Sequence, residues 1–323
     1  MRFKRRFALL FIMCAMSSPL RAGEWPQQPI RLIMPFPAGG PSDALARAIA
    51  NKMEPALKTS IVVENVGGAG GSIGMQKLAR SAPNGYTIGF GTIGTHAANM
   101  IVYRSPLYSA TEDFEPLGLI GPAPMVLMAK KQLPVRDFKE FVSYLANQHS
   151  SLFFGSAGVG SISHIACLLL LTELKTTVKH VPYKGVAPAM AGLMGGETDF
   201  MCDQTTTALS QIKGGRVKPL AILTDTAIPS LLDVATASSS GLVQIDFRSW
   251  NALFAPRGTP GEVIRKLNTA INVAMSDPAL IRQMQDLGVA FPQRNQNTPE
   301  NLSKLVESEI RRLKPVLEKI QIN

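Results

Sequence analysis

A chain of 323 residues with 46% hydrophobic and 17% charged residues is long enough for two domains with sizeable cores, and too apolar for disorder. Its formal charge of +10 is concentrated at one end: five of the 33 Lys and Arg (Arg2, Lys4, Arg5, Arg6, Arg21) and none of the 23 acidic residues lie in residues 1–22, leaving 28 against 23. That small excess is spread along the chain without interleaved aromatics, which argues against nucleic acid and leaves a weak field favourable to a small anion.

Residues 1–22 have the layout of a cleaved secretory signal peptide. A basic start leads into the apolar Phe7 to Met16, which is too short to span a bilayer as a helix. Ser17, Ser18 and Pro19 then break the run, and Ala22 supplies a small residue for cleavage. Cys14 follows Ile12 and Met13 rather than small residues, so it does not read as a lipidation site.

Beyond residue 22, apolar runs alternate with helical patterns. Ile30 to Phe36 reads as a buried strand, followed by a Pro/Gly turn and a helix from Ser42 to Met53. Ile61 to Glu64 is a second strand, Met75 to Arg80 a helix and Tyr86 to Gly91 a third strand, an order that implies a parallel sheet with helices on both faces. Leu117 to Ala129 is a long apolar stretch interrupted by Gly121, Pro122 and Pro124, and is expected to leave one domain and enter another. The second set of elements comprises a helix at Phe138 to Ala146, a strand at Leu152 to Gly155 and a helix at Ser163 to Leu174. Strands follow at Val178 to Tyr183, Thr198 to Cys202 and Val217 to Leu223, with a short helix at Ala187 to Met194. After an irregular Pro229 to Asp246, Ser249 to Ala255 reads as the return crossing. Two helices close the chain; the last has Thr298 as N-cap, Pro299 at its first position, and Pro315 placed to bend or break it.

The expected organisation is α/β: lobe 1 from residues 23–121 and 250–323, lobe 2 from residues 122–249, and two crossings between them that serve as a hinge. A cleft between two such lobes is a preferred place for a small ligand.

Three glycine-rich segments are candidates for chemistry. Pro37, Ala38, Gly39 and Gly40, followed by Ser42 and Asp43, join a strand to a helix. Glycines let backbone approach a ligand, and unpaired N–H groups at a helix start suit a carboxylate. Ser156, Ala157, Gly158, Val159, Gly160, Ser163 and His164 repeat that arrangement in the second set of elements. Gly67 to Gly74 fits a dinucleotide loop poorly, because Ile73 stands where a glycine is needed and no acidic residue follows at the right distance. Tyr183 and Asp203 end strands, where ligand-contacting residues of an open α/β sheet sit. No catalytic residue, cofactor or metal site is expected: His96, His149, His164 and His180 lack ligand spacing, and no nucleophile, base and orienting group stand at recognisable spacing. Cys167 and Cys202 read either as a disulfide or as two small buried hydrophobes.

Taken in order, these segments resemble one family. They are Trp25-Pro26, Pro29 to Ile33, Pro35 to Asp43, Ala46-Arg47, Val63 to Asn65 with the glycine-rich loop to Gly74, and Ala82 to Thr87. They continue with Gly155 to His164, His180 to Gly185, Gly195 to Glu197 leading to Asp203, then Trp250 and Phe254 to Pro260. The chain resembles the extracytoplasmic solute-binding receptors of tripartite tricarboxylate transporters, also called the Bug family. The resemblance implies a periplasmic-binding-protein (type II-like) fold, periplasmic location, a monomeric state, and delivery of a small organic carboxylate to a membrane permease. It also implies that the loops at Pro37 to Asp43 and Ser156 to His164 grip one carboxylate end, partly through ordered water. Ser42 stands where the family often has Thr, and Thr205 to Thr207 form an unusually hydroxyl-rich run. Few charged residues mark these loops, which favours a monocarboxylate or slim dicarboxylate over an acid such as citrate. The alternatives are a receptor that feeds a signalling partner, and a secreted hydrolase using Ser156 or His164.

Overall fold

The computed structural model describes residues 24–148, 151–241, 247–289 and 291–318. The signal-peptide expectation falls on residues 1–22, outside that range. The first half is built from β1 (Ile30–Met34), α1 (Pro41–Leu57), β2 (Ile61–Asn65), α2 (Ser72–Ala79) and β3 (Thr87–Thr92). A π-helical turn (Gly94–Ala98) runs directly into α3 (Asn99–Val102), and β4 (Phe114–Lys130) then carries the chain away. The second half contains α4 (Phe138–Gln148), β5 (Phe153–Ser156), α5 (Ile162–Glu173), β6 (Lys179–Pro182), α6 (Val186–Gly195), β7 (Phe200–Gln204), α7 (Thr205–Lys213) and β8 (Val217–Ile222). The chain returns through β9 (Arg248–Pro256) and ends with α8 (Gly261–Ala274), α9 (Pro278–Gln285) and α10 (Pro299–Leu317).

The strands join in the order β2-β1-β3-β9-β4-β7-β5-β6, with β8 also paired to β4. Parallel pairing links β1 to β2 and β3, and β5 to β6 and β7, whereas β4 and β9 run antiparallel to their partners. β4 changes partner midway: Phe114 to Pro124 pairs with β9, and Met125 to Ala129 pairs with β7. The interruptions read at Gly121, Pro122 and Pro124 do not break the strand. Two register shifts against β9, at Pro116/Gly118 and Leu119/Gly121, absorb the irregularity and leave one strand of 17 residues.

Helix ends follow residue chemistry. The Thr298 side chain accepts from Asn301 N, with Pro299 behind it at the start of α10. That helix continues through Pro315 to Leu317 rather than splitting there. Pro315 sits in the last turn, where its missing N–H removes a single bond from carbonyls already near the free end. The π-helical turn with α3, α7, and one of the three helices that close the chain were not read from the sequence. Residues 94–98 are buried all round, so they show no polar face. α7 opens on three threonines, poor helix formers that read as a wall of hydroxyls.

Cys167 on α5 and Cys202 on β7 form a disulfide, with Cα atoms 5.5 Å apart and a separation of 35 positions in sequence. Both residues are fully buried, so the bond ties a helix to the strand beneath it. Closing a loop of that length restricts the unfolded chain by about 3–4 kcal/mol in the chain-entropy picture. Replacing both cysteines by alanine is therefore expected to lower unfolding stability by an amount of that order in urea titrations; an unchanged midpoint would show that the cross-link adds nothing.

Candidate functional site

Three helices begin at one hollow. It is lined by Phe36, Pro37, Ala38, Gly40, Ser42 and Asp43 at the start of α1, by Ala157, Ser161 and Ile162 at the start of α5, and by Val186 and Ala187 at the start of α6. Its volume of about 30 Å³ has room for about one water. The N-cap of α1 is Gly40, which has no side chain to cap the helix, and Ala44 N is the first amide bonded back, to Gly40 O at 3.1 Å. Helix geometry therefore leaves the amides of Ser42 and Asp43 without an intrahelical acceptor. In α6 the N-cap is Gly185, and Ala189 N bonds back to Gly185 O at 3.3 Å, which leaves the Val186 and Ala187 amides in the same state. In α5 the Ser161 hydroxyl accepts from His164 N at 3.4 Å, and the Ile162 and Ser163 amides remain. With helices of 17, 12 and 10 residues, the positive ends of three dipoles meet at one place. The lining contains no Lys or Arg. Converging helix starts of this kind are suited to an anion such as a carboxylate.

Asp43 does not present its carboxylate to the hollow. One oxygen accepts from Gly39 N and Arg47 Nε at 3.1 Å each, and the other from Asn65 Nδ2 at 2.9 Å. Asn65 Nδ2 also donates to Phe36 O at 2.9 Å, so the group latches the loop 36–43 onto the end of β2. Burial alone would raise the Asp43 pKa, but the bonds from Arg47, Asn65 and Gly39 outweigh it and hold the group ionised.

The loop after β5 is held from within. Ser156 Oγ lies 3.1 Å from both Gly158 N and Gly158 O, and 2.6 Å from His180 Nε2. Ala157 N donates to Ser163 Oγ at 2.8 Å, and Gly160 N to His164 Nδ1 at 3.2 Å. Gly158 and Gly160 have φ of +120° and +78°, a backbone that side chains rarely adopt. Ser156 is fully buried and its oxygen is already engaged, so the Ser156–His180 pair is a brace for the loop rather than a nucleophile with its base.

The two halves touch around the hollow. A Cβ on Gly70 would stand 2.5 Å from Val159 O, and one on Gly185 would stand 3.0 Å from the Pro37 ring. Tyr103 donates its hydroxyl to Val159 O at 3.1 Å.

Of the sequence-predicted site residues, Pro37, Ala38, Gly40, Ser42, Asp43 and Ala157 line the hollow, while Gly39, Ser156, Gly158, Val159, Gly160, Ser163 and His164 shape the two loops behind it. Tyr183 turns its hydroxyl to Glu197 at 2.9 Å and its ring against Gly192. Asp203 is fully buried at the end of β7; one oxygen takes the Thr207 hydroxyl and the other, Oδ1, has no partner among the described residues. Asn251 of β9 lies opposite Thr92, is equally buried, and has no partner for either amide atom among the described residues. Sequence reading missed Val186 and Ala187, and did not single out Phe36, Ser161 and Ile162 within the two segments it marked. The Gly185 to Pro188 start of α6 carries the same signal as the start of α1, a glycine N-cap followed by a proline in the first turn.

The described residues contain no group of three His, Cys, Asp or Glu placed to hold a metal ion, and no helix long and apolar enough to cross a membrane. A sequence model of the family described as "Tripartite tricarboxylate transporter family receptor" matches residues 45–322. The chain belongs to this receptor family. A UPF0065 protein encoded in the TAR-I ttuE-ttuC' intergenic region of Agrobacterium vitis is 37% identical over 293 residues, 91% of this receptor and 84% of the relative. Among solved structures, the periplasmic binding protein BugD is 35% identical with a TM-score of 0.88, over 92% of this receptor and 98% of BugD. MatC from Rhodopseudomonas palustris, solved with bound malate, is 37% identical with a TM-score of 0.87, over 91% of this receptor and 100% of MatC. The receptor therefore has the periplasmic-binding-protein fold, two α/β lobes joined by crossing strands around a ligand cleft, and belongs to a family of solute-binding proteins for carboxylates.

The buried imidazoles of the receptor set how it responds to acid. Burial pushes His96 down to about 3, burial and the neighbouring His180 push His164 down to about 3, and burial pushes His180 down to about 4. Below the ordinary value of 6.5 the unfolded chain binds protons that the folded one refuses, so stability falls as pH falls. Asp203, raised to about 7 by burial against the opposing bonds from Thr207 and Gln204, works in the other direction, because its bound proton favours the folded state at low pH. Three groups against one give a loss of roughly 2–3 kcal/mol per pH unit near pH 5. Chemical denaturation at pH 7.5, 6 and 5 checks this; a flat profile would remove the buried neutral imidazoles from the picture.

Proposed function

We propose that this protein is a periplasmic receptor, exported with cleavage of an N-terminal signal, that captures one small organic carboxylate and delivers it to the membrane permease of a tripartite tricarboxylate-type transporter. The observation that carries this reading is the convergence of three helix starts, two of them without a side-chain cap, on one hollow that no cationic side chain lines. Lobe 1 is residues 23–121 and 250–323, lobe 2 is residues 122–249, and β4 and β9 are the hinge between them. β4 exchanges β9 for β7 between Pro124 and Met125, which supports a flexing point there. Closure brings Gly70 and Tyr103 against Val159, and a ligand that adds contacts only in the closed form shifts the population towards it. The permease reads that closed surface.

One carboxylate of the ligand takes the amides of Ser42, Asp43, Ile162, Ser163, Val186 and Ala187, directly or through water. Asp43, Gly39 and the residues from Ser156 to His164 keep those amides in place, and Tyr183 braces the wall beside them. The far end of the ligand meets Asn251 and the unpaired Asp203 Oδ1, two buried groups whose free hydrogen-bonding capacity costs stability until a partner fills it. A site with so few charges suits a slim dicarboxylate, in keeping with the malate bound by MatC.

A thermal-shift panel of malate, adipate, citrate and benzoate tests the reading on protein refolded from denaturant, so that co-purified ligand is absent. A ligand at one hundred times its Kd adds about 2.7 kcal/mol, a rise of several degrees. No rise with any carboxylate would sink the assignment. Against the acid that binds, calorimetry is expected to show at least about a tenfold loss (1.4 kcal/mol) in Asp43→Ala, whose loop is unlatched, and in Gly158→Leu, whose φ no longer suits the residue. A Gly70→Ala variant is expected to lose affinity as well, because its new methyl group meets Val159 O and holds the lobes apart.

A further inference from the structure

Two imidazoles stand behind the loop 156–164. The His164 and His180 rings stack with centroids 4.2 Å apart, and Phe154 covers the His180 ring at 4.7 Å. His180 Nε2 meets Ser156 Oγ at 2.6 Å. That hydroxyl has a single proton and three neighbours, two of them on Gly158. The Gly158 amide can only donate and the Gly158 carbonyl, which also takes the Ser161 amide at 3.1 Å, can only accept, so the arrangement that uses every contact of the hydroxyl sends its proton to the carbonyl. In that arrangement the ring of His180 supplies the proton to Ser156, from Nε2. At His164 the Gly160 amide points at Nδ1 from 3.2 Å, so Nδ1 carries a lone pair and the ring proton is on Nε2. With Nε2–H on both rings every one of these contacts is a hydrogen bond.

We propose that His180 and His164, each as its Nε2–H tautomer, are positioning residues that fix the course of the loop 156–164 and so aim the first amides of α5 at the ligand. Neither ring lines the hollow, and each acts through a neighbour: His180 through Ser156, and His164 through Gly160. Two glycines with positive φ give this loop more freedom than any other residue type would, and the rings remove it. The stack keeps each ring in the plane its bond requires. The inference rests on the carboxylate-receptor reading for what the loop is held against, whereas the loop and its proton arrangement stand without ligand.

Matched side chains test it on the purified protein. A glutamine at position 180 places an amide N–H close to where Nε2 sits, an asparagine at position 164 places an acceptor close to where Nδ1 sits, and a leucine at either position fills similar space with no polar atom. Two-bond 15N–1H spectra of the imidazoles at pH 7 are expected to show Nδ1 unprotonated in both rings. Amide exchange of Gly158, read relative to Leu127 in the core of β4, is expected to quicken at least about tenfold in His180→Leu and to stay within about twofold of wild type in His180→Gln. Gly160 is expected to respond in the same way to His164→Leu and His164→Asn. A proton on Nδ1 of either ring, or equal exchange in the matched and leucine variants, overturns the proposal. Should His180→Leu fail to fold, His180→Asn, whose amide is too short to reach Ser156, takes its place with the same expected contrast. A wild-type protein that binds malate and no other acid of the panel, or none at all, bears on the receptor reading alone, because tautomers and exchange are read without ligand.

Discussion

A helix start leaves backbone N–H groups with nothing inside the helix to bond, and three such starts meet in this protein. That unmet demand organises the region around it. Gly40 and Gly185 stand at the N-caps of α1 and α6, where a Ser or Asp would have satisfied an amide from within. Asp43, the obvious internal competitor, is turned away and fully occupied by Gly39, Arg47 and Asn65. β1 in one half and the parallel pair β5 and β6 in the other run in opposite senses along the sheet order, so the loops that follow them approach from opposite sides and three helix starts from distant parts of the chain meet at one hollow.

Around that hollow the protein keeps nearby side chains either neutral or locked. The imidazoles of His164 and His180 are held uncharged by burial, and the Asp43 carboxylate is tied into a latch. Positive character at the site thus comes from fixed dipoles rather than mobile cations. Such dipoles lose no side-chain entropy when a ligand arrives and have already met the cost of orientation during folding.

Much of this was legible in the chain. Alternation of apolar runs with helical patterns gave the parallel strands and their helices, and strand–glycine–helix junctions at Pro37 to Asp43 and Ser156 to His164 marked two of the three arms of the site. The third arm, at Val186 and Ala187, was not legible because its contribution is backbone, which apolar side chains do not advertise, whereas Tyr183 and Asp203 stand out as polar side chains at strand ends. The helix over residues 94–102 escaped because full burial erases the periodicity that reveals a surface helix. The role of His180 depends on a partner 24 residues away and on which nitrogen bears the proton, and neither is a property of a sequence pattern.

Because the proposed carboxylate anchor is made of main chain, substitutions of the side chains that line it leave it in place, and only those that shift the loops behind it reach it. A substitution at Val186 or Ile162 alters a side chain but leaves the amide in place, so long as the helix still begins there. On that reading variation can accumulate at a position such as Asn251, reshaping what the far wall accepts, while the grip on the acid group stays the same. A lineage built on such an anchor diversifies its cargo without having to reinvent its handle.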